Sequence, residues 1–230
     1  MSTLVLVRHA STAETGRSLS GRLPGIPLSE QGREEARVLA ERLSGVAFTR
    51  IASSPIQRCL ETLEPILRTR TAGVAARPEI EIDERLTEVD YGDWSGRELK
   101  SLVKEPLWAT VQRQPSAMRF PKGEALSAAA ARGVAAVRER SAALDGDDVW
   151  LAASHGDLIK AIVADALGTP LDLFQRISID PASITVIRHG GERPTVVRVN
   201  DSGTPLAALL SARQKGSLLD RIRGRNGGAR

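Results

Sequence analysis

Two histidines and two arginines stand at the ends of apolar runs in this sequence, where a strand would end and a helix would begin. Arg8 and His9 close the first apolar run, Arg58 lies just beyond the second, and His155 follows a third. Arginine keeps its charge and offers a planar fork to pairs of oxygen atoms, and a neutral imidazole is a capable nucleophile. This combination is typical of a site for a dianionic phosphoryl group.

The chemistry that such a site could perform is phosphoryl transfer through His9. Neighbouring cations disfavour protonation of the imidazole and leave it ready to attack phosphorus. Hydrolysis would take two steps, with the phosphoryl group held on His9 between them. A carboxylic acid must protonate the leaving alkoxide and later activate water. Glu88, in a polar loop, is the best candidate for this general acid/base, with Asp83, Glu84 and Asp90 nearby.

An alternation of strands and helices is predicted to bring these residues together. Strands are predicted at 3–7, 49–53, 79–82, 148–153, 183–188 and 195–199, and helices at 29–44, from Ser54-Pro55 onward, at 124–144 and from Asp157 onward. This order predicts an α/β sandwich with a mostly parallel central sheet. Ligands bind beyond the carboxyl ends of such strands, so the histidines and arginines are expected to meet at one edge.

Residues 97–122, interrupted by three prolines, are predicted to form a small helical cap that sets specificity. The apolar side chains of this cap either fill its own core or face a substrate with some apolar surface.

Composition excludes several classes of protein. The chain has 230 residues, 41% hydrophobic content and one cysteine, which argues against a disordered chain and a disulfide framework. No apolar run approaches the roughly 20 residues of a membrane span, and no leader is recognised, so a cytoplasmic location is expected. Residues 211–230 carry six basic residues and one acidic residue, whereas residues 1–210 are close to neutral. The basic Gly/Arg-rich segment 206–230 is therefore interpreted as a flexible, solvated tail, and a nucleic-acid partner is not expected.

Four motifs in order resemble the histidine phosphatase superfamily, also called phosphoglycerate mutase-like. They lie at residues 6–12 (LVRHAST), 53–62 (SSPIQRCLET), 88–96 (EVDYGDWSG) and 154–156 (SHG), and residues 28–36 (LSEQGREEA) also fit. The resemblance implies a three-layer α/β/α sandwich formed by residues 1–205.

The resemblance also implies a role for each site residue. His9 is the phosphorylated nucleophile, Arg8, Arg58 and His155 hold the phosphate, and Glu88 is the proton donor. Neither a metal nor a cofactor is expected, and the partner is a small-molecule phosphomonoester.

Three positions depart from the family pattern. Ala10 replaces the usual glycine after the nucleophile, so the turn there is expected to differ slightly. Thr15 replaces an asparagine, and its hydroxyl can still donate to phosphate. Residues 21–28 lack a common acidic residue, and Arg22 in this segment is a candidate substrate contact.

The sequence favours a phosphatase but leaves other functions open. A cofactor-dependent phosphomutase of the phosphoglycerate mutase type uses the same phosphohistidine, but it must exclude water, and no obvious lid is present. A non-catalytic phosphate-binding regulatory module is disfavoured because every residue that the chemistry needs is present. The oligomeric state, including a homo-oligomer, stays open. Cys59 is interpreted as core packing and Asp157 as a helix cap.

Overall fold

A six-stranded sheet forms the centre of the computed structural model, which describes residues 1–68, 78–190, 192–205, 207, 208 and 210. Its strands are β1 (Ser2–Arg8), β2 (Arg50–Ser53), β3 (Ile80–Ile82), β4 (Val149–Ser154), β5 (Ile184–His189) and β6 (Thr195–Asp201). The spatial order is β3-β2-β4-β1-β5-β6. The pairs among β1 to β4 are parallel, and β5 is antiparallel to both β1 and β6. The prediction of a mostly parallel sheet is therefore confirmed.

Helices cover both faces of this sheet, as a three-layer α/β/α sandwich requires. The helices are α1 (Glu30–Arg42), α2 (Gln57–Arg68), α3 (Leu99–Leu102), α4 (Trp108–Arg113), α5 (Leu126–Ala142) and α6 (Gly156–Ala166). Alternate side chains of β1 point to opposite faces of the sheet and belong to two different hydrophobic cores. Val5 and Val7 face the core under α1 and α2, and Leu4 and Leu6 face the core under α5 and α6. A strand with apolar residues on both faces is thus explained by a helix layer on each side.

The start of α2 differs from the prediction. The helix begins at Gln57, not at Pro55, because Pro55 and Ile56 form a bend after β2. The Ser54 hydroxyl accepts a hydrogen bond from the Ile56 amide at 3.3 Å and stabilises this bend. Pro65 lies inside α2, and the helix continues to Arg68.

The predicted cap at 97–122 contains α3, α4 and a 3-10 turn at Pro115–Ala117. Its apolar side chains Leu102, Val111, Met118 and Phe120 are buried in a third cluster, which also includes residues of the loop after Glu88, of α5 and of α6. These four side chains therefore pack in the interior of the protein. Within the described ranges, no helix combines the length and apolar character that a membrane span requires. Most of the predicted tail, 206–230, lies outside those ranges.

The register of the sheet aligns the carboxyl ends of three strands. Arg8 at the end of β1 lies beside Ser154 at the end of β4, and Ser53 of β2 lies beside Ala153 of β4. The residues that follow these strands therefore emerge side by side at one edge of the sheet.

Candidate active site

The strand ends bring the two histidines together. The ring centroids of His9 and His155 are 5.1 Å apart, with an angle of 61° between the rings. Arg58, near the start of α2, bridges them. Its Nε donates to His9 Nε2 at 3.1 Å, and its Nη2 donates to His155 Nδ1 at 3.1 Å.

The backbone after β1 orients the His9 ring. His9 Nδ1 lies 2.8 Å from the Ala10 carbonyl oxygen, which can only accept a hydrogen bond. The ring proton is therefore on Nδ1, and Nε2 carries the lone pair. Burial, followed by the charges of Arg58 and Arg8, holds the pKa of His9 well below its ordinary value. Near neutral pH, His9 is an uncharged imidazole whose Nε2 can act as a nucleophile.

His155 has the opposite tautomer. Its Nδ1 accepts from Arg58, so Nε2 carries the proton and donates to the Ser54 hydroxyl at 2.8 Å. Burial is also the main reason that the pKa of His155 lies well below its ordinary value. The Cys59 sulfur lies 3.5 Å from the same Nε2, and burial raises the pKa of its thiol to about 12. Cys59 is a buried core residue, as predicted, and it also contacts the site.

The two arginines are only partly satisfied by protein groups. Arg8 Nη1 donates to the Ile179 carbonyl at 2.6 Å, and Arg58 Nη2 donates to the Gly21 carbonyl at 2.7 Å. Arg8 Nε and Arg58 Nη1 are buried and make no hydrogen bond within the described part of the chain. A buried donor without a partner is unfavourable by about 1–3 kcal/mol, so both groups fit the oxygens of an anion.

Glu88 supplies a carboxyl group to the same site. It is 8% exposed, and one of its oxygens accepts a hydrogen bond from the Val89 amide at 2.9 Å. Burial and, next, the negative charge of Asp157 raise the pKa of Glu88 to about 7. Glu88 therefore retains its proton over much of the range in which a free carboxyl would have lost it.

Asp157 lies beside this group in the first turn of α6. The interpretation of Asp157 as a helix cap is wrong, because His155 occupies the cap position and Asp157 is the second residue of α6, with its side chain bonded to other side chains. The Tyr91 hydroxyl donates to one carboxylate oxygen at 2.9 Å, and the Lys160 ammonium donates to the other at 3.1 Å. Burial alone would raise the pKa of Asp157, but Lys160 and Tyr91 hold it below its ordinary value.

Several of these groups line a cavity of about 250 Å³, whereas His155 is fully buried and is not among the lining residues. Arg8, His9, Arg58, Glu88 and Asp157 all line it. The lining also includes several small and polar residues and two leucines, namely Glu14, Thr15, Gly16, Ser18, Leu19, Ser20, Leu99 and Lys160. The described residues contain no group of three or more His, Cys, Asp or Glu side chains placed to hold a metal ion.

Of the residues that depart from the family pattern, one lines the cavity and another lies outside it. Thr15 lines the cavity, and its hydroxyl oxygen accepts from the Thr12 amide at 2.9 Å. Arg22 does not line it. Its Nη2 bonds to Glu124 at 2.8 Å, and its Nε donates to the Glu88 carbonyl at 2.9 Å. Ala10 is fully buried without a positive φ, so an alanine fits this turn.

Sequence reasoning missed three residues that shape the site. Ser54 and Tyr91 lie inside motifs, and Asp157 comes two positions after His155. Their position in or near a motif was the only feature of the sequence that could have indicated a role, because Ser54, Tyr91 and Asp157 have hydrogen-bond partners that are distant in sequence.

Comparison with known proteins identifies the class to which this fold and site belong. The model of the histidine phosphatase superfamily (branch 1) matches residues 4–202, so the chain belongs to this superfamily and the resemblance is confirmed.

Individual relatives include phosphatases and mutases. Phosphoserine phosphatase 1 of Hydrogenobacter thermophilus is 29% identical over 203 residues, which cover 86% of this chain and 91% of that protein. The 2,3-bisphosphoglycerate-dependent phosphoglycerate mutase 2 of Gloeobacter violaceus is 30% identical over 197 residues, which cover 82% and 86%. The solved structure of Bacillus stearothermophilus YhfR matches with a TM-score of 0.77 and 29% identity, covering 87% of this chain and 98% of that one.

Proposed function

We propose that this chain is a phosphoric monoester hydrolase that forms a phosphohistidine on His9. The observation that carries the proposal is that a neutral imidazole, two arginines and a carboxyl group line one cavity. His9, whose Nε2 carries a lone pair, lines one cavity with Arg8 and Arg58, and each of these arginines has an unused buried donor. The carboxyl of Glu88, whose pKa is raised to about 7, lines the same cavity.

In the first step, the phosphate oxygens bind Arg8 Nε and Arg58 Nη1. Arg58 Nε turns from His9 to the phosphate, because the lone pair on Nε2 cannot accept a hydrogen bond and attack phosphorus at once. Nε2 then attacks phosphorus, the ester P–O bond breaks, and Glu88 gives its proton to the leaving alkoxide. His155, held by Ser54, keeps Arg58 oriented, and the Thr15 hydroxyl is an additional donor for the phosphate.

In the second step, the Glu88 carboxylate takes a proton from water while the water oxygen attacks phosphorus. The P–N bond breaks, His9 returns to its neutral form, and inorganic phosphate leaves. Glu88 is protonated again, so the cycle closes without a change in either residue.

The charge of the cavity lining favours a phosphatase over a mutase. A phosphoglycerate mutase must bind a second anionic group besides the transferred phosphoryl group. Of the described residues that line the cavity, Lys160 is the one cation besides Arg8 and Arg58, and it is already paired with Asp157. Glu14 adds a negative charge. This balance suits a phosphomonoester whose alcohol part carries no carboxylate or second phosphate.

Trapping the intermediate tests the proposal. Rapid quenching with a ³²P-labelled phosphomonoester should give a labelled protein whose phosphoryl group is lost in acid and survives in base. The variant His9→Asn should lack the label and lose turnover by about 10³-fold or more. His189→Asn changes a histidine outside the cavity and should behave like the parent protein.

The same experiment separates the alternatives. A mutase would pass the label to a second alcohol in preference to water, most efficiently with phosphoglycerates. A binding module would bind phosphate but form no labelled protein and release no product. Either result would replace the proposal.

A further inference from the structure

Two carboxyl groups from different elements, one buried and one partly buried, line the same cavity. Glu88 belongs to the loop that follows β3, and Asp157 belongs to the first turn of α6. The Glu88 side chain is buried, and the Asp157 side chain is partly buried, with 23% of its surface exposed. Two like charges in such a place repel each other strongly, so one group is expected to hold its proton while the other is ionised.

The hydrogen bonds decide which group is ionised. One Asp157 oxygen accepts from the Tyr91 hydroxyl and the other from the Lys160 ammonium, and both donors stabilise an anion. Lys160 is held in place by Gln175, at 3.3 Å, and lies over the ring of Phe174. For Glu88, the described part of the chain provides one backbone amide and no cationic side-chain donor. Asp157 is therefore the anion and Glu88 the acid.

The positive charges around Glu88 oppose protonation of its carboxyl group. The titratable and charged groups near it are Arg8 and His9 after β1, Arg22 in the loop before α1, Arg58 on α2, Tyr91 in its own loop, Glu124 before α5, Arg132 on α5, and His155, Asp157 and Lys160 at α6. The guanidinium groups of Arg8 and Arg58 favour loss of the Glu88 proton. Burial and the fixed negative charge of Asp157 oppose them.

We propose that Asp157 is a positioning residue for the proton of Glu88. It supplies a permanent negative charge that keeps the general acid protonated beside two arginines. The inference rests on the proposed function, in which Glu88 protonates the leaving group. The same charge makes the ionised Glu88 a stronger base in the second step, so it assists both halves of the reaction.

Two neutral replacements test this role. In D157N and D157S, the pH profile of kcat/KM for an alkyl phosphomonoester should keep its value at low pH. Its alkaline limb should move down by about one pH unit, which gives about a tenfold loss above neutral pH. For p-nitrophenyl phosphate, whose leaving group needs no proton, kcat/KM should change much less. D165N makes the same charge change on the exposed end of α6 and should leave the profile unchanged.

Infrared difference spectra between acid and alkaline pH provide a measurement that does not depend on turnover. The band of a buried protonated carboxyl should titrate near neutral pH in the parent protein and at lower pH in D157N, and E88Q should lack it. If D157N lost activity equally at every pH and its carboxyl band titrated as in the parent protein, Asp157 would have only a structural role. This result would overturn the inference. Loss of the band in D157N but not in E88Q would identify Asp157 as the acid, which also overturns it. If the parent protein turned over no phosphomonoester, the proposed function would fail, and the spectra would still decide whether Asp157 holds the proton on Glu88.

Discussion

At the scale of single residues, the site depends on where three protons lie. The Ala10 carbonyl holds one proton on His9 Nδ1, and the Ser54 hydroxyl accepts another from His155 Nε2. The third proton is on Glu88 below about pH 7, because burial raises the pKa of this carboxyl to about 7. On both histidines, the ring nitrogen without a proton accepts a hydrogen bond from Arg58. The result is a neutral nucleophile and a neutral acid among cations.

Glu88 should also make the stability of the protein depend on pH. Burial raises the pKa of Glu88 from 4.5 to about 7, so the folded state holds a proton that the unfolded state releases. The free energy of unfolding should therefore fall as the pH rises from about 4.5 to 7, by up to about 3 kcal/mol from this group. In E88Q this contribution should be absent, as measured by urea unfolding at a series of pH values.

The control for this prediction is E84Q, which makes the same change at an exposed neighbour. Its unfolding should follow the parent protein at every pH. Parallel curves for the parent and E88Q would mean that Glu88 is ionised in the folded state, contrary to the role given to it here.

At the scale of elements, α1 and α2 hold the loop that follows the nucleophile. Glu35 of α1 accepts hydrogen bonds from the Ser11 amide at 2.8 Å and the Ser11 hydroxyl at 3.0 Å. Thr62 of α2 accepts one from the Ala10 amide at 2.9 Å. Since the Ala10 carbonyl orients the His9 ring, these helices contribute to the nucleophile without contacting a substrate.

Gly32 shows how closely α1 approaches this loop. A Cβ atom at Gly32 would lie 1.9 Å from the Ser11 carbonyl oxygen, so the helix and the loop would have to separate. We expect Gly32→Ala to lower the free energy of unfolding by about 1–3 kcal/mol despite the better helix propensity of alanine. It should also lower kcat, because the Ala10 carbonyl would move. Urea unfolding and steady-state kinetics measure the two effects.

Gly45 provides a matched control just after α1. A Cβ atom there would meet nothing within 4 Å, so Gly45→Ala should change stability by less than about 1 kcal/mol and leave kcat unchanged. If Gly32→Ala were as harmless as Gly45→Ala, α1 would not determine the position of the loop.

At the scale of the whole molecule, the site draws on residues from Arg8 to Ile179, and the superfamily match ends at residue 202. The excess positive charge lies beyond it, where residues 211–230 carry a net charge of +5. The net positive charge of the whole chain therefore comes from residues 211–230 and gives no information about the site.

Removal of the tail should weaken polyanion binding without changing catalytic activity. A chain ending at residue 205 should keep the kcat/KM and melting temperature of the full chain, because no described site residue lies beyond 179. It should bind less tightly to an immobilised polyanion at low salt, since basic side chains that release counterions are gone. A variant with Arg221, Arg223 and Arg225 changed to Gln should lose polyanion binding in the same way. A tenfold fall in kcat/KM of the shortened chain would show instead that the tail reaches the cavity.

Much of the protein could be predicted from local sequence. The alternation of apolar runs and amphipathic stretches predicted the strands and helices, and four motifs in order predicted the superfamily. The convergence of His9, Arg58 and His155 followed from the rule that ligands bind beyond the carboxyl ends of parallel strands. These features depend on the type and spacing of residues, which can be read along the chain.

The tertiary structure alone decided which side chains meet across elements. It turned Arg22 toward Glu124, placed Asp157 against Tyr91 and Lys160, and buried Glu88 beside them. The charge state of a buried carboxyl is a sum over groups from distant segments, and this sum exists only after the chain has folded. The amino-acid sequence therefore determined which chemical groups are available, and the fold determined which of them carry a proton.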